Sequence, residues 1–179
     1  MLTSMPHVTV AHGFDECVAA VESVQTELAR RRQAPDTRMV YLIVDEYADL
    51  KLRMGDAIDN TIAGIGGIGR SKHIRIVLAS QKPTIEVVST LIKANTTTRI
   101  GGLVTTPQES QIIMGRDSVG CEDLPGRGSF MAIMEERTPV RIQSYYLAPD
   151  DLVSAVDAIN SKWQGVEPYR IAMVAPGDS

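Results

Sequence analysis

Apolar residues along this chain follow two periods, and the switches between them mark its elements. Phe14, Cys17, Val18, Val21, Val24 and Leu28 recur at helical spacing and predict a helix with one apolar stripe. Asp15 and Glu16 in its first turn and Arg30, Arg31 and Arg32 in its last suit the helix dipole; the arginines read as a solvated helix end. Residues 8–10 (VTV) read as a short strand before it. A polar loop over 33–38, with Pro35, leads into the continuous apolar run 39–44 (MVYLIV). This run is too short for a helix and rich in branched residues, so it predicts a strand buried on both faces. It stops at Asp45-Glu46. Ile58, Ile62 and Ile65 predict a helix after Gly55-Asp56, and residues 74–79 (IRIVLA) a second buried strand ending at Ser80-Gln81.

The second half continues the alternation. Residues 83–93 predict a helix capped by Thr84, and 99–104 (RIGGLV) a third strand. Thr106, Pro107 and Glu109 hold the N-cap, N1 and N3 positions of a helix start, and Gly115 would end that helix. A glycine-rich loop over 120–128 precedes a hairpin, 129–134 and 140–144, joined by a charged turn with Pro139. Residues 150–163 predict an amphipathic helix with Leu152, Val153, Val156 and Ile159 inward. This gives one domain over 1–163 and, with Pro168, Pro176 and Gly177, a flexible tail over 164–179. Strands alternating with helices predict an α/β fold with a mostly parallel central sheet.

Composition narrows the functional classes. At 179 residues, 44% hydrophobic and 22% charged, the chain reads as one globular domain. It has no apolar run of membrane-spanning length and no signal-peptide pattern, so a cytoplasmic location is expected. A net charge of -4 excludes a uniformly basic nucleic-acid binder; any such contact is local or shared with other subunits. Cys17, Cys121, His7, His12 and His73 have no metal-ligand spacing, and the two thiols read as buried and reduced.

The chemistry concentrates where the apolar strands end. Ligands of parallel α/β sheets bind beyond the C-terminal strand ends. A carboxylate there is costly unless it meets a cation, and Mg²⁺ on a nucleotide is the usual partner. Four apolar residues followed by Asp45-Glu46 form the Walker B pattern, in which the second acid can deprotonate an attacking water. A strand-end acid pairing with a helix N-terminus gives the same pattern, and this motif alone leaves both readings open.

Four stretches in order decide between them: YLIVDEYADL (41–50), RIVLASQKPT (75–84), STLIKANTTTRI (89–100) and LPGRGSF (124–130). Together they resemble the C-terminal half of the FtsK/SpoIIIE DNA-translocase motor, a RecA-like P-loop ATPase, over roughly residues 5–163. The resemblance implies a three-layer RecA-like fold, incomplete on its N-terminal side, closed by a β-hairpin and helix. It implies that Asp45 holds Mg²⁺ through water and that Glu46 is the catalytic base. Gln81 would sense the γ-phosphate of ATP. Arg99, with Arg70 as the second candidate, would be an arginine finger reaching a neighbouring subunit's nucleotide.

The departures from the family pattern matter equally. No G-x-x-x-x-G-K-[ST] phosphate loop occurs in the sequence, and residues 64–72 (GIGGIGRSK) have the wrong spacing and place. Those glycines leave a weak helix or a loop as equal expectations. Gln111 stands where the family has arginine, and Glu122-Asp123 replace a Glu-Lys pair on the DNA-facing loops; Arg116 and Arg127 are the nearby cations. The resemblance therefore implies part of an ATP-driven, ring-forming (commonly hexameric) double-stranded DNA translocase, without membrane insertion by this stretch. A membrane anchor elsewhere in the whole protein is compatible with that. A fragment, a degenerate partner-binding module and a piece of a related protein-secretion ATPase are the alternatives that the missing phosphate loop leaves open.

Overall fold

Branched apolar runs flanked by amphipathic helices satisfy their backbone by pairing in parallel, because each returning helix covers the sheet it crosses. The computed structural model follows this logic and describes residues 8–81, 83–135, 138–162 and 171–174, the last as backbone. The chain divides into two compact units: Met1–Gln81 with Leu147–Ser179, and Lys82–Tyr146.

The first unit holds a four-stranded parallel sheet in the order β1 (Val8–Ala11), β7 (Ile171–Val174), β2 (Val40–Val44), β3 (Ile74–Leu78). Helix α1 (Phe14–Gln33) buries Cys17, Val21, Val24 and Leu28, as its stripe predicts. Helix α3 (Asp56–Gly69) buries Ile58, Ile62 and Ile65. Its glycines continue the helix as far as Gly69, followed by a 3₁₀ turn, Arg70–Lys72. A Cβ at Gly69 would lie 3.2 Å from the Ile74 carbonyl oxygen, so glycine lets the helix end close onto β3. The short helix α2 (Tyr47–Met54), directly after Glu46, has no counterpart in the pattern reading.

Three expectations change in this unit. Residues 171–174, expected in a flexible tail, supply β7, the strand between β1 and β2; the rest of 164–179 lies outside the described residues, save that β7 itself is seen as backbone. The strand β3 is an edge strand rather than a buried one, and Val77 on it is 47% exposed. On α6 (Pro149–Lys162), Val156 is buried while Leu152, Val153 and Ile159 are exposed. Val156 occupies the middle of the apolar arc and the other three its margins, so a narrow contact buries only the centre.

Arg31, expected in solvent, is buried at 2% exposure. Its Nε donates to Glu27 at 2.6 Å, and its Nη1 donates to the carbonyl oxygens of Arg38 at 2.6 Å and Lys72 at 2.8 Å. One guanidinium thus ties the end of α1 to the loop before β2 and the turn before β3. Arg30, then Arg31, hydrogen-bond to Glu27 and hold its carboxyl down at about 2.

The second unit holds a three-stranded antiparallel sheet, β4 (Arg99–Gly101), β5 (Ser129–Ile133) and β6 (Val140–Gln143), the last two forming the expected hairpin. Its core gathers Met114, Val119, Cys121, Leu124 and Ile133. Helix α5 (Pro107–Met114) starts with a capping box between Thr106 and Glu109 and stops at left-handed Gly115, as the sequence predicts. Two elements differ. The strand expected over 99–104 ends at Gly101 and pairs antiparallel with β5; Gly101 passes so close to Cys121 that a Cβ there would lie 2.8 Å from Sγ. The helix expected over 83–93 is α4 (Thr90–Asn95), capped by Ser89. Branched Ile85, Val87 and Val88 disfavour helix, and Thr84 closes a turn with Val87 and Val88 instead.

Candidate active site

The strands β2 and β3 pair in register, with Val44 beside Leu78, so the residues after both strands emerge side by side. The ladder continues beyond them: the Ala79 N–H donates to the Val44 carbonyl at 2.8 Å and the Tyr47 N–H to the Ala79 carbonyl at 2.8 Å. This brings Asp45 and Glu46 next to Ser80 and Gln81, 34 and 35 residues on from Glu46.

Glu46 is the N-cap of α2 and the centre of the site. Its Oε1 accepts from the Ser80 hydroxyl at 2.6 Å and the Ala48 N–H at 3.2 Å. Its Oε2 accepts from the Gln81 N–H at 3.0 Å. The carboxylate therefore ties the end of β3 to the start of α2. Asp45 is exposed beside it, and the Gln81 side chain is exposed on the neighbouring strand end. The structure thus brings Asp45, Glu46 and Gln81 together just beyond the ends of β2 and β3.

The expected arginines belong to other elements. Arg70 is exposed in the turn before β3, at the end of that strand away from Glu46. Arg99, in the second unit, donates from Nη1 to the Met114 carbonyl at 2.9 Å and from Nη2 to the Lys93 carbonyl at 2.8 Å. It braces the last turns of α4 and α5, where helix carbonyls otherwise lack donors. A Cβ at Gly115 would collide with this guanidinium, so the glycine serves the brace as well as the turn. Arg116 and Arg127 are exposed in the glycine-rich region of the second unit. Arg127 has φ 52° between Gly126 and Gly128, both also at positive φ, a conformation that an arginine rarely adopts.

A polar group behind Glu46 escaped sequence reasoning. The Tyr47 hydroxyl donates to buried Asp59 at 2.5 Å, and Lys51 Nζ reaches Asp59 at 3.0 Å and Asp56 at 2.6 Å. Burial, then the Asp59 contact, pushes the Tyr47 phenol well above its ordinary range. For Lys51 burial opposes the charge, but the two carboxylates outweigh it and raise its pKa. This group locks α2 to α3 and fixes the segment that follows Glu46. Tyr47→Phe is expected to cost about 1–2 kcal/mol in urea unfolding, because it removes the hydroxyl from a buried carboxylate; an unchanged midpoint would contradict this role. No spacing rule links Tyr47 with Asp59, 12 residues apart on two helices.

The donor set suits Mg²⁺ brought by a nucleotide. Among the described residues no cluster of three or more His, Cys, Asp or Glu is placed to hold a metal alone. Mg²⁺ typically takes one or two carboxylates and completes its shell with phosphate oxygens and water.

No family model matches the chain. It is 35% identical over 125 residues to DNA translocase FtsK of Lactococcus lactis, covering 69% of this chain and 16% of that protein. It is 31% identical over 169 residues to DNA translocase FtsK 2 of Ralstonia nicotianae, covering 92% of this chain and 21% of that protein. The chain thus spans about a fifth or less of the relatives it matches. Its fold resembles that of the pCW3 conjugation coupling protein TcpA, solved with ATPgS (TM-score 0.65, 17% identity, 88% of this chain and 57% of that one). It also resembles the cytoplasmic domain of the type VII secretion ATPase EccC of Thermomonospora curvata (TM-score 0.60, 23% identity, 86% and 19%). The chain is thus similar in sequence to a segment of proteins named DNA translocase FtsK, and it shares its α/β fold with TcpA and the EccC domain.

Proposed function

We propose that this chain is the Walker B and sensor part of an ATP-driven motor that moves double-stranded DNA. The observation that carries the reading is the in-register convergence of Asp45, Glu46 and Gln81 at two parallel strand ends, in a homologue of FtsK translocases. TcpA, of the same fold, was solved with an ATP analogue, which supports nucleotide as the ligand.

Asp45, exposed and adjacent, would hold Mg²⁺ through water; the ion would offset charge on the phosphates. Glu46 would take a proton from a water as that water's oxygen bonds the γ-phosphorus and the bond to the ADP oxygen breaks. Gln81, by its side-chain amide, would orient that water or the γ-phosphate. The phosphate loop that grips the β- and γ-phosphates is not among these residues and would come from elsewhere in the working assembly.

Arg70 lies in the turn before β3, at the other end of that strand from Asp45 and Glu46, a placement that suits a residue reaching a nucleotide on a neighbouring copy in a ring, such as a hexamer. Arg99, the other candidate, would have to release the Met114 and Lys93 carbonyl oxygens to act as a finger. Arg116 and Arg127 supply exposed positive charge for duplex phosphates on an otherwise acidic chain.

The test is hydrolysis of Mg-ATP by the natural full-length product that carries these residues, with and without duplex DNA. Stimulation of about tenfold or more by duplex, weakening steeply with salt, is expected. Stimulation by an unfolded polypeptide but not by duplex would assign the motor to protein secretion and overturn the DNA reading.

A further inference from the structure

A carboxylate offers about four lone-pair sites, two on each oxygen. In this structure three of the four on Glu46 are occupied among the described residues. Oε1 carries two donors, the Ser80 hydroxyl at 2.6 Å and the Ala48 N–H at 3.2 Å. Oε2 carries one, the Gln81 N–H at 3.0 Å. The shortest of the three bonds comes from a side chain on a different strand, the other two from backbone that the fold fixes anyway.

We infer that Ser80 is a positioning residue for Glu46: its hydroxyl saturates Oε1, so that the open lone pair of Oε2 is the acceptor presented to the substrate water. The inference rests on the proposed ATPase reading, in which Glu46 is the base. The terminal torsion of a carboxylate is soft, and the two backbone N–H groups restrain it with one longer bond to each oxygen. The Ser80 hydroxyl adds the third and shortest restraint, on Oε1. Ser80 needs no contact with the nucleotide to act this way; it selects which oxygen of Glu46 is available and where it points. Misplacing a reacting group by about 1 Å costs on the order of 100-fold, so a partial loss of orientation should be visible in turnover.

The test compares Ser80→Val with Ser80→Thr, two side chains of the same shape that differ by the hydroxyl. Hydrolysis of Mg-ATP is followed in the natural full-length protein, with Glu46→Gln beside them. Amide hydrogen exchange at Gln81 is followed in the 179-residue chain. Ser80→Val is expected to lower kcat about tenfold at unchanged KM, because orientation of the base is felt in the transition state. Ser80→Thr is expected to stay within about threefold of wild type. The Gln81 amide should exchange several-fold faster in Ser80→Val alone, since the carboxylate it donates to has lost its strongest tether. If Glu46→Gln abolishes turnover while Ser80→Val matches wild type, the positioning role is wrong and the ATPase reading stands. If Glu46→Gln leaves turnover intact, the ATPase reading is wrong. The clasp is then judged by exchange alone, and an unchanged Gln81 rate in Ser80→Val would overturn it too.

Discussion

Arg31→Ala is expected to lower the unfolding free energy by about 3 kcal/mol, measured by urea denaturation followed by circular dichroism. The side chain is among the largest that are fully buried, and its charge is met by Glu27 and by the main-chain oxygens of Arg38, Lys72 and His73. Alanine leaves the Arg38 and Lys72 carbonyls without that donor and Glu27 with Arg30 alone, and it opens space beside the sheet. A typical domain is stable by about 5–15 kcal/mol, so the loss is a large share of the whole. Arg31→Lys keeps the charge but not the planar fork that reaches several acceptors, and is expected to recover only part of the loss. A change below about 0.5 kcal/mol in Arg31→Ala, the range of ordinary surface substitutions, would show that the brace is dispensable.

Elements with local causes were legible in the sequence. The stripe of α1, the capping box before α5 and the two strands of the hairpin each depend on neighbours a few residues apart. Features that depend on distant partners were not. Residues 171–174 carry the apolar character of a strand, but nothing nearby says that β1 and β2 leave a gap that β7 fills. Arg31 sits in a run of arginines at a helix end, where solvent is the ordinary expectation; its acceptors are 7 and 41 residues away. Arg99 reads as a finger candidate at a strand start, and nothing nearby in the sequence says that its guanidinium meets the ends of α4 and α5. In the candidate site, the place of Asp45 and Glu46 at a strand end was readable from the apolar run before them, while their roles rest on the family resemblance of the four stretches. The clasp by Ser80 was not, because it rests on the β2–β3 register.

Glu46→Gln is expected to abolish turnover while leaving the fold and nucleotide binding in place. The amide oxygen can still accept from Ser80 and Ala48, so the start of α2 and the end of β3 keep most of their tie. What is lost is a group able to take a proton: an amide has no useful basicity at neutral pH. General-base catalysis contributes on the order of 10²–10⁴-fold, so turnover should fall by at least about 100-fold, or about 2.7 kcal/mol of barrier. Substrate affinity should hold, since in the proposed reading a phosphate loop outside these residues grips the phosphates. The measurement is the steady-state rate of Mg-ATP hydrolysis by the natural full-length protein on saturating duplex DNA, wild type against Glu46→Gln, with nucleotide affinity determined in parallel. A loss of at least about 100-fold in kcat at unchanged affinity is the predicted result; a Glu46→Gln variant that hydrolyses ATP at the wild-type rate would contradict the assignment of this strand end as the site of the chemistry.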